Sequence, residues 1–311
     1  MSPTLPPIVL LEPQSLLGRE LLQLMEERDL RPERLVCRHL GGEPEHRVTE
    51  ILGSAEVVPP LGEGALPAGS VVVIAAPPEG EVRERLESAL AADPTLPVLD
   101  IAGTGLVEGP VLAGAPAVRP DPPRAVVASP GAAVAYRLAR PLREFGIEAV
   151  WVAVAVPASA EGMEAVEALA RHARGRLQGA GGEPKGAWAA FDLLTGWSGR
   201  TGRELAALLP GTAVAAVEAR AGTFHGWAVH VGVRFGAAVD GSAVREAWES
   251  VEGLELAGEP LRLTAVTESD AVHVATPVLS ADGRTLAVTA LADGLRVGGA
   301  ATALEILPAL V

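Results

Sequence analysis

Apolar positions along this chain follow one rhythm up to about residue 101 and another from residue 147. In the first part, short apolar runs alternate with stretches of helical spacing. Ile8-Val-Leu-Leu11 reads as a buried strand, and the segment after it sets Leu17, Leu21, Leu24 and Met25 against Glu26, Glu27 and Arg28, as an amphipathic helix does. Residues 34–37 form a second short strand before a turn at Gly41-Gly42. The β-branched run 71–76 predicts a fully buried strand, residues 79–92 a helix behind Pro77-Pro78, and residues 97–101 another strand. Strands alternating with helices in this way predict an α/β, doubly wound parallel sheet. The Pro-rich stretch 116–123 reads as an irregular connection.

In the second part strands dominate. Residues 148–156, 212–220, 227–235, 272–279 and 285–291 alternate, and their spacing makes most of them antiparallel. A helix is expected over 161–177, with Met163, Val166, Ala170, Ala173 and Leu177 on one stripe. Another is expected over 199–209, starting near Ser198, with a flexible loop at 179–186 between them. This half therefore reads as a mixed α+β domain built on one broad sheet. A Gly/Ala-rich helix over 296–310 closes the chain.

Composition narrows the picture. A chain of 311 residues, 49% hydrophobic, is large enough for two folded domains, and with only 3% aromatics their cores rest on Ala, Val and Leu. The net charge of −14 repels phosphate backbones and argues against nucleic acid as a partner. No apolar run reaches the roughly 18 residues of a membrane span. The N-terminal segment lacks a basic leader and a lone cysteine excludes internal disulfides, so a cytoplasmic location is expected.

Candidate chemistry is sparse. Cys37 ends a buried strand and reads as a small hydrophobe. His225 and His230 flank Trp227: His225 could serve as a displaced acid/base, while His230 lies an odd number of residues from Trp227 and points to the other face. Arg38-His39 reads as an exposed loop pair. His172 and His273 show no partner by spacing, and no set of residues has metal-ligand spacing. Arg245 spoils a capping box at Ser242, leaving Ser242 as at most a simple N-cap.

The most informative stretch lacks a reagent. An apolar strand, residues 125–128, runs into Ser129-Pro130-Gly131, and a helical pattern follows from Ala132 with Val134, Leu138 and Leu142. This layout resembles the nucleophile turn of the aspartate-semialdehyde dehydrogenase family, where a cysteine sits at a helix N-terminus that favours its thiolate. The matching position here is Ala132. The resemblance spans nearly the whole chain: Leu291-Ala-Asp-Gly-Leu-Arg-Val-Gly-Gly-Ala-Ala-Thr-Ala resembles the family's closing motif and keeps Asp293, Arg296, Gly298 and Ala300. Ile8–Gly18 falls on its first βα turn, and Arg220–Trp227 on its R-V-P-V-F-x-G-H.

Residue by residue, the resemblance implies loss. Of the turn glycines only Gly18 remains, with Glu12 and Ser15 in place of the others. Ala75-Ala-Pro-Pro78 replaces a glycine-bearing strand end, and proline removes N–H donors. Leu106 falls where the family's substrate-phosphate arginine stands, Ala158 at its glutamine and Trp227 at its acid/base histidine. Arg220 remains, either to bind a carboxylate, as in the family, or to pair with an acidic residue. Trp227 either stacks on a ligand or fills a vacated pocket.

The chain looks most like the degenerate, Usg-type branch of that family. The expected domains are a dinucleotide-binding-like domain over 1–128, completed by residues 296–311, and a semialdehyde-dehydrogenase-like dimerisation domain over 129–295. The expected function is a catalytically inactive binding or interaction protein, a homodimer with a small-molecule or protein partner. No cofactor is expected, NADP being the one the fold could hold. The alternative is a divergent NAD(P)-dependent aldehyde or acyl oxidoreductase with relocated residues such as His225 and Arg220.

Overall fold

The computed structural model describes residues 5–41, 47–62, 69–179, 188–197, 199–257 and 260–311. It divides into two compact units, Met1–Ala128 with Gly298–Val311, and Ser129–Val297. Gly42, Ser198 and most of the expected loop at 179–186 lie outside the described residues.

The first unit runs β1 (Ile8–Leu11), α1 (Leu16–Glu27), β2 (Leu35–Arg38), a hairpin of β3 (Arg47–Ile51) and β4 (Ser54–Val58), β5 (Val71–Ile74), α2 (Gly80–Ala92), β6 (Val98–Asp100), β7 (Val111–Leu112) and β8 (Arg124–Val127). Its main sheet has the order β2-β1-β5-β6-β8-β7, with every neighbouring pair parallel. On β1, Ile8 and Leu10 pack in one cluster with Leu21 and Met25 of α1. Val9 and Leu11 pack in another with Val82, Leu86 and Leu90 of α2. Helices on both faces are why these strands are continuous apolar runs rather than alternating ones. Each such side chain contributes roughly 1.5–3 kcal/mol by leaving water. The doubly wound α/β reading is met.

The second unit begins with α3 (Pro130–Ala139), β9 (Ile147–Val156), α4 (Met163–Leu177), β10 (Leu193–Trp197), α5 (Thr201–Leu208), β11 (Ala213–Ala221) and β12 (Trp227–Phe235). It continues with α6 (Gly241–Glu249), β13 (Leu254–Leu256), β14 (Val272–Val274), β15 (Val278–Leu279) and β16 (Thr285–Ala292). The sheet order is β10-β11-β9-β12-β16-β14-β13, with β15 beside β16. The β9–β11 and β13–β14 pairs are parallel and the others antiparallel, so the sheet is mixed, as the α+β reading requires. Val150, Val152, Val154 and Val156 of β9 are buried on one face, while Trp151 on the other is 43% exposed.

Local details differ from the sequence reading. On α4 the buried positions are Ala165 and Leu169, whereas Met163 and Leu177 are exposed. The expected strand over 272–279 breaks into β14 and β15 around Pro277, which cannot donate to a ladder. The β3–β4 hairpin, β10 and α6 are absent from the sequence reading, although α6 is amphipathic, burying Val244 and Trp248 four residues apart. Asp240, not Ser242, caps α6, its carboxylate accepting the Ser242 N–H at 2.9 Å. The closing helix is shorter than expected: α7 (Ala300–Ile306), in the first unit, gives way to a 3₁₀ turn, Leu307–Leu310, at Pro308.

Candidate functional site

In the first unit, the turn between β1 and α1 is closed by its own side chains. Ser15 is the N-cap of α1: its hydroxyl accepts the Gly18 N–H at 3.0 Å and donates to the Ala75 carbonyl at 2.9 Å. Glu12 sits at φ 61°, a left-handed conformation that glycine adopts freely and other residues adopt at a cost. Its carboxylate accepts the Leu40 N–H at 2.8 Å and meets Arg47 at 3.4 Å. A Cβ at Gly18 would overlap the Glu12 carbonyl and Pro13, so glycine is needed there for α1 to approach the turn. Asp100 is fully buried and staples its own loop, accepting N–H groups of Gly103 and Thr104 at 2.8 and 2.7 Å. Leu106 packs against the cluster under α2.

Two first-unit residues qualify the sequence reading. His39 is not part of an exposed pair: it is 1% exposed, and its backbone bridges Pro59 and Leu61. The chain's only cysteine, Cys37, is a buried β2 residue, and burial pushes its thiol up to about 12.

In the second unit, Ala132 lies in the first turn of α3 with no exposed surface. The preceding Ser129 is the N-cap, but its hydroxyl meets no hydrogen-bond partner among the described residues. Instead the Ser129 N–H donates at 2.7 Å to the buried carboxylate of Glu204 on α5, which also pairs with Arg200 at 3.2 Å. Trp227 is buried, and its indole lies where a Cβ on Gly294 would have to sit, next to Pro130.

Arg220, the penultimate residue of β11, is ion-paired with Glu161 through both Nε, at 2.9 Å, and Nη2. Trp188 donates its indole N–H to the other oxygen of Glu161 at 2.8 Å, and the Arg220 guanidinium lies 5.7 Å from the Trp188 ring centroid. Pairing with an acidic residue is therefore the observed state of Arg220. Ala158, buried on the 3₁₀ turn Ala158–Glu161, donates its N–H to the Thr223 carbonyl at 2.9 Å.

One constellation was not legible from spacing. His225 is not on the strand with Trp227 but in the bend before β12. Its Nδ1 is 3.1 Å from the Ser159 hydroxyl, and its Nε2 is 3.0 Å from Oδ1 of Asp293. Sheet register brings the three together. Trp227 pairs with Ala292, placing the entry of β12 beside the exit of β16, and Ala228 pairs with Ala155 near the end of β9. Asp293 also accepts the N–H groups of Glu268 and Leu295, each at 2.9 Å. Burial pushes its carboxyl pKa up, but the His225 hydrogen bond and charge and those two N–H groups outweigh it, leaving it below the usual 3.8. Three further histidines have ordinary partners: His172 accepts the Ala190 N–H, His230 meets Thr289, and His273 lies between Ser269 and Glu255.

No family model and no curated protein matches the sequence. The fold, however, is similar to solved structures over almost its full length. Aspartate semialdehyde dehydrogenase II from Vibrio cholerae, complexed with ASA, superposes with a TM-score of 0.83 at 18% identity, covering 99% of this chain and 98% of that one. A probable aspartate-semialdehyde dehydrogenase from Pseudomonas aeruginosa gives 0.80 at 22% identity, with 97% of each chain covered. The Candida albicans enzyme with NADP gives 0.71 at 13%, covering 99% and 98%. The chain thus has the fold of the aspartate-semialdehyde dehydrogenases, a parallel-sheet unit joined to a mixed-sheet unit.

Proposed function

We propose that this chain is an aspartate-semialdehyde dehydrogenase-like protein of the Usg-type branch, without dehydrogenase activity, that works as a binding or interaction protein. One observation carries the reading. Thiolate addition to an aldehyde needs an accessible, ionisable thiol, and the only cysteine is Cys37, buried in β2 with its thiol pushed up to about 12. The filled space around Trp227 and the pairing of Arg220 with Glu161 agree with it.

The first βα turn does not fit a tightly held dinucleotide. Pyrophosphate binding there uses free N–H groups at a helix N-terminus and close backbone approach. Here Ser15 already accepts the Gly18 N–H, and the Glu12 carboxylate lies over the loop after β2.

The interaction half of the reading rests on the open sheet face. Trp151, Val217 and Val278 are exposed on the second unit, and a groove of about 630 Å³ there is lined by Trp151, His230, Pro260, Leu261 and Val278. With α4 burying only Ala165 and Leu169, a symmetric homodimer through this face is the arrangement that would remove it from water.

A second reading, a divergent NAD(P)-dependent aldehyde or acyl oxidoreductase, draws support from the placement of His225 against Asp293. The two separate in one assay. Purified protein with aspartate semialdehyde, phosphate and NADP should reduce no NADP above a mock preparation, and Ala132→Cys should restore nothing, because Leu106, Ala158 and Trp227 remain. Turnover by the wild-type protein would overturn the inactive reading. Light scattering at micromolar concentration should give twice 31.9 kDa, and a monomeric mass would reject the dimer.

A further inference from the structure

We propose that Ser159, His225 and Asp293 form a nucleophile–base–carboxylate relay, and that the second unit carries an acyl-transfer site for small esters. This goes beyond both readings above, since it uses neither a thiolate nor a dinucleotide.

The carboxylate anchors the relay. Asp293 is 1% exposed and is held by the backbone N–H groups of Glu268 and Leu295, so its position does not depend on His225. A fixed carboxylate acceptor at 3.0 Å requires His225 Nε2 to carry a proton. The neutral ring then presents an unprotonated Nδ1 to the Ser159 hydroxyl at 3.1 Å, which is the tautomer a general base needs. The two ring nitrogens are exchanged relative to the serine-protease arrangement. The roles are unchanged, because either nitrogen can take the proton while the other is held by the carboxylate.

Three separate segments supply the three groups: the 3₁₀ turn after β9, the bend before β12 and the loop after β16. His225 is the most exposed of them, its side chain at 25% against 2% for Asp293. Ser159 is 7% exposed, which limits the reaction to compact acyl groups. The nearby Arg220 is neutralised by Glu161, so the site offers no unpaired guanidinium to an acidic substrate and suits a neutral ester.

The step balances without an added oxidant or reductant. Ser159 Oγ bonds to the ester carbonyl carbon as its proton passes to His225 Nδ1. The carbon–alkoxy bond breaks, and the departing oxygen takes that proton. Water then adds to the acyl carbon, giving its proton to His225. The carbon–Oγ bond breaks, and Ser159 recovers its proton as the acid leaves.

The test uses the intact chain, without nucleotide, treated with a small alkyl fluorophosphonate and mapped by mass spectrometry, alongside p-nitrophenyl acetate hydrolysis. The expected result is a single adduct on Ser159, absent in Ser159→Ala. Both the labelling rate and ester hydrolysis should fall about 100-fold or more in His225→Gln, as loss of a general base does. Asp293→Asn, a positioning change, should also slow labelling and should move the pH midpoint of the rate. A variant whose circular dichroism matches wild type but whose pH profile is unmoved would show that Asp293 is only structural and would overturn the relay. So would the absence of an adduct on Ser159 in folded wild-type protein, or labelling of His225→Gln at the wild-type rate. NADP turnover, measured separately, bears on the oxidoreductase reading and leaves this result untouched.

Discussion

Two strand-to-helix turns, one within the first unit and one where the chain passes from β8 to α3, solve the same problem in different ways. Each must satisfy N–H groups that a helix start leaves unpaired, and each has a serine as N-cap. At α1 the cap is local: Ser15 accepts from Gly18 three residues on, and Glu12 reaches the loop after β2. At α3 the Ser129 hydroxyl has no partner among the described residues, and the turn is held by Glu204 from another helix. A serine at an N-cap therefore does not establish a side-chain cap. The α1 start is capped by its own serine, with further ties from Ser15 to Ala75 and from Glu12 to Leu40, whereas the α3 start relies on a carboxylate from another helix.

The largest expected effect tests the tertiary support. Glu204→Ala should destabilise the protein by about 3 kcal/mol, because it leaves the Ser129 N–H without its acceptor and Arg200 without its charge partner. Urea unfolding measures it, and a cost below about 1 kcal/mol would mean that α3 does not depend on α5.

Next comes Gly18→Ala, expected to cost about 2 kcal/mol. The added methyl meets backbone at Glu12 and Pro13, which cannot rotate away as a side chain could. An unchanged unfolding midpoint would show that the first turn is looser than its geometry.

The sharpest form of the comparison pairs two identical substitutions. Ser15→Ala removes a working cap and should cost about 1 kcal/mol. Ser129→Ala removes a buried hydroxyl without a partner and should be neutral or slightly stabilising. Equal losses in the two variants would break the contrast.

A small net effect is also expected at Glu12. Glu12→Gly loses the contacts to Leu40 and Arg47 but relieves a left-handed φ of 61°, so these should nearly cancel, leaving a change within about 1 kcal/mol. If the carboxylate is what closes this turn, the variant should gain a thermal shift with millimolar NADP that the wild type lacks.

Acidity separates the second unit further. The folded-state pKa of Asp293 lies below its ordinary value near 3.8, so its contribution is complete above that value and is lost as pH falls through the folded-state pKa. The stability gap between wild type and Asp293→Asn should therefore be widest near neutrality and should close in acid, as pH-dependent denaturation would record. A gap that does not vary with pH would mean that the carboxylate's charge contributes nothing.

Much of this was legible in the sequence. The apolar runs at residues 8–11 and 71–74 announced strands covered on both faces, and Val150, Val152 and Val154 announced a half-buried one. Cys37 read as core and is core. Other features were misread or invisible for a common reason: His39 looked exposed because nothing local shows that the chain after β2 runs beside Pro59 to Leu61. The β3–β4 hairpin was missed because its apolar side chains do not mark a core face: Val48 and Val57 are exposed, and Arg47 and Thr49 alternate with them.

Periodicity and residue chemistry, read from the sequence by itself, determined most of the helices and strands and that an α/β sheet precedes a mixed one. Those properties depend on neighbours a few residues away, where torsional preference and the alternation of faces act. Only the tertiary structure decided that Glu204 would hold Ser129 across 75 positions of sequence, that Glu161 would take Arg220, and that His225 would stand between Ser159 and Asp293. Those meetings depend on strand order and register, on Trp227 facing Ala292 and Ala228 facing Ala155, which burial of the whole sheet fixes and no local pattern encodes.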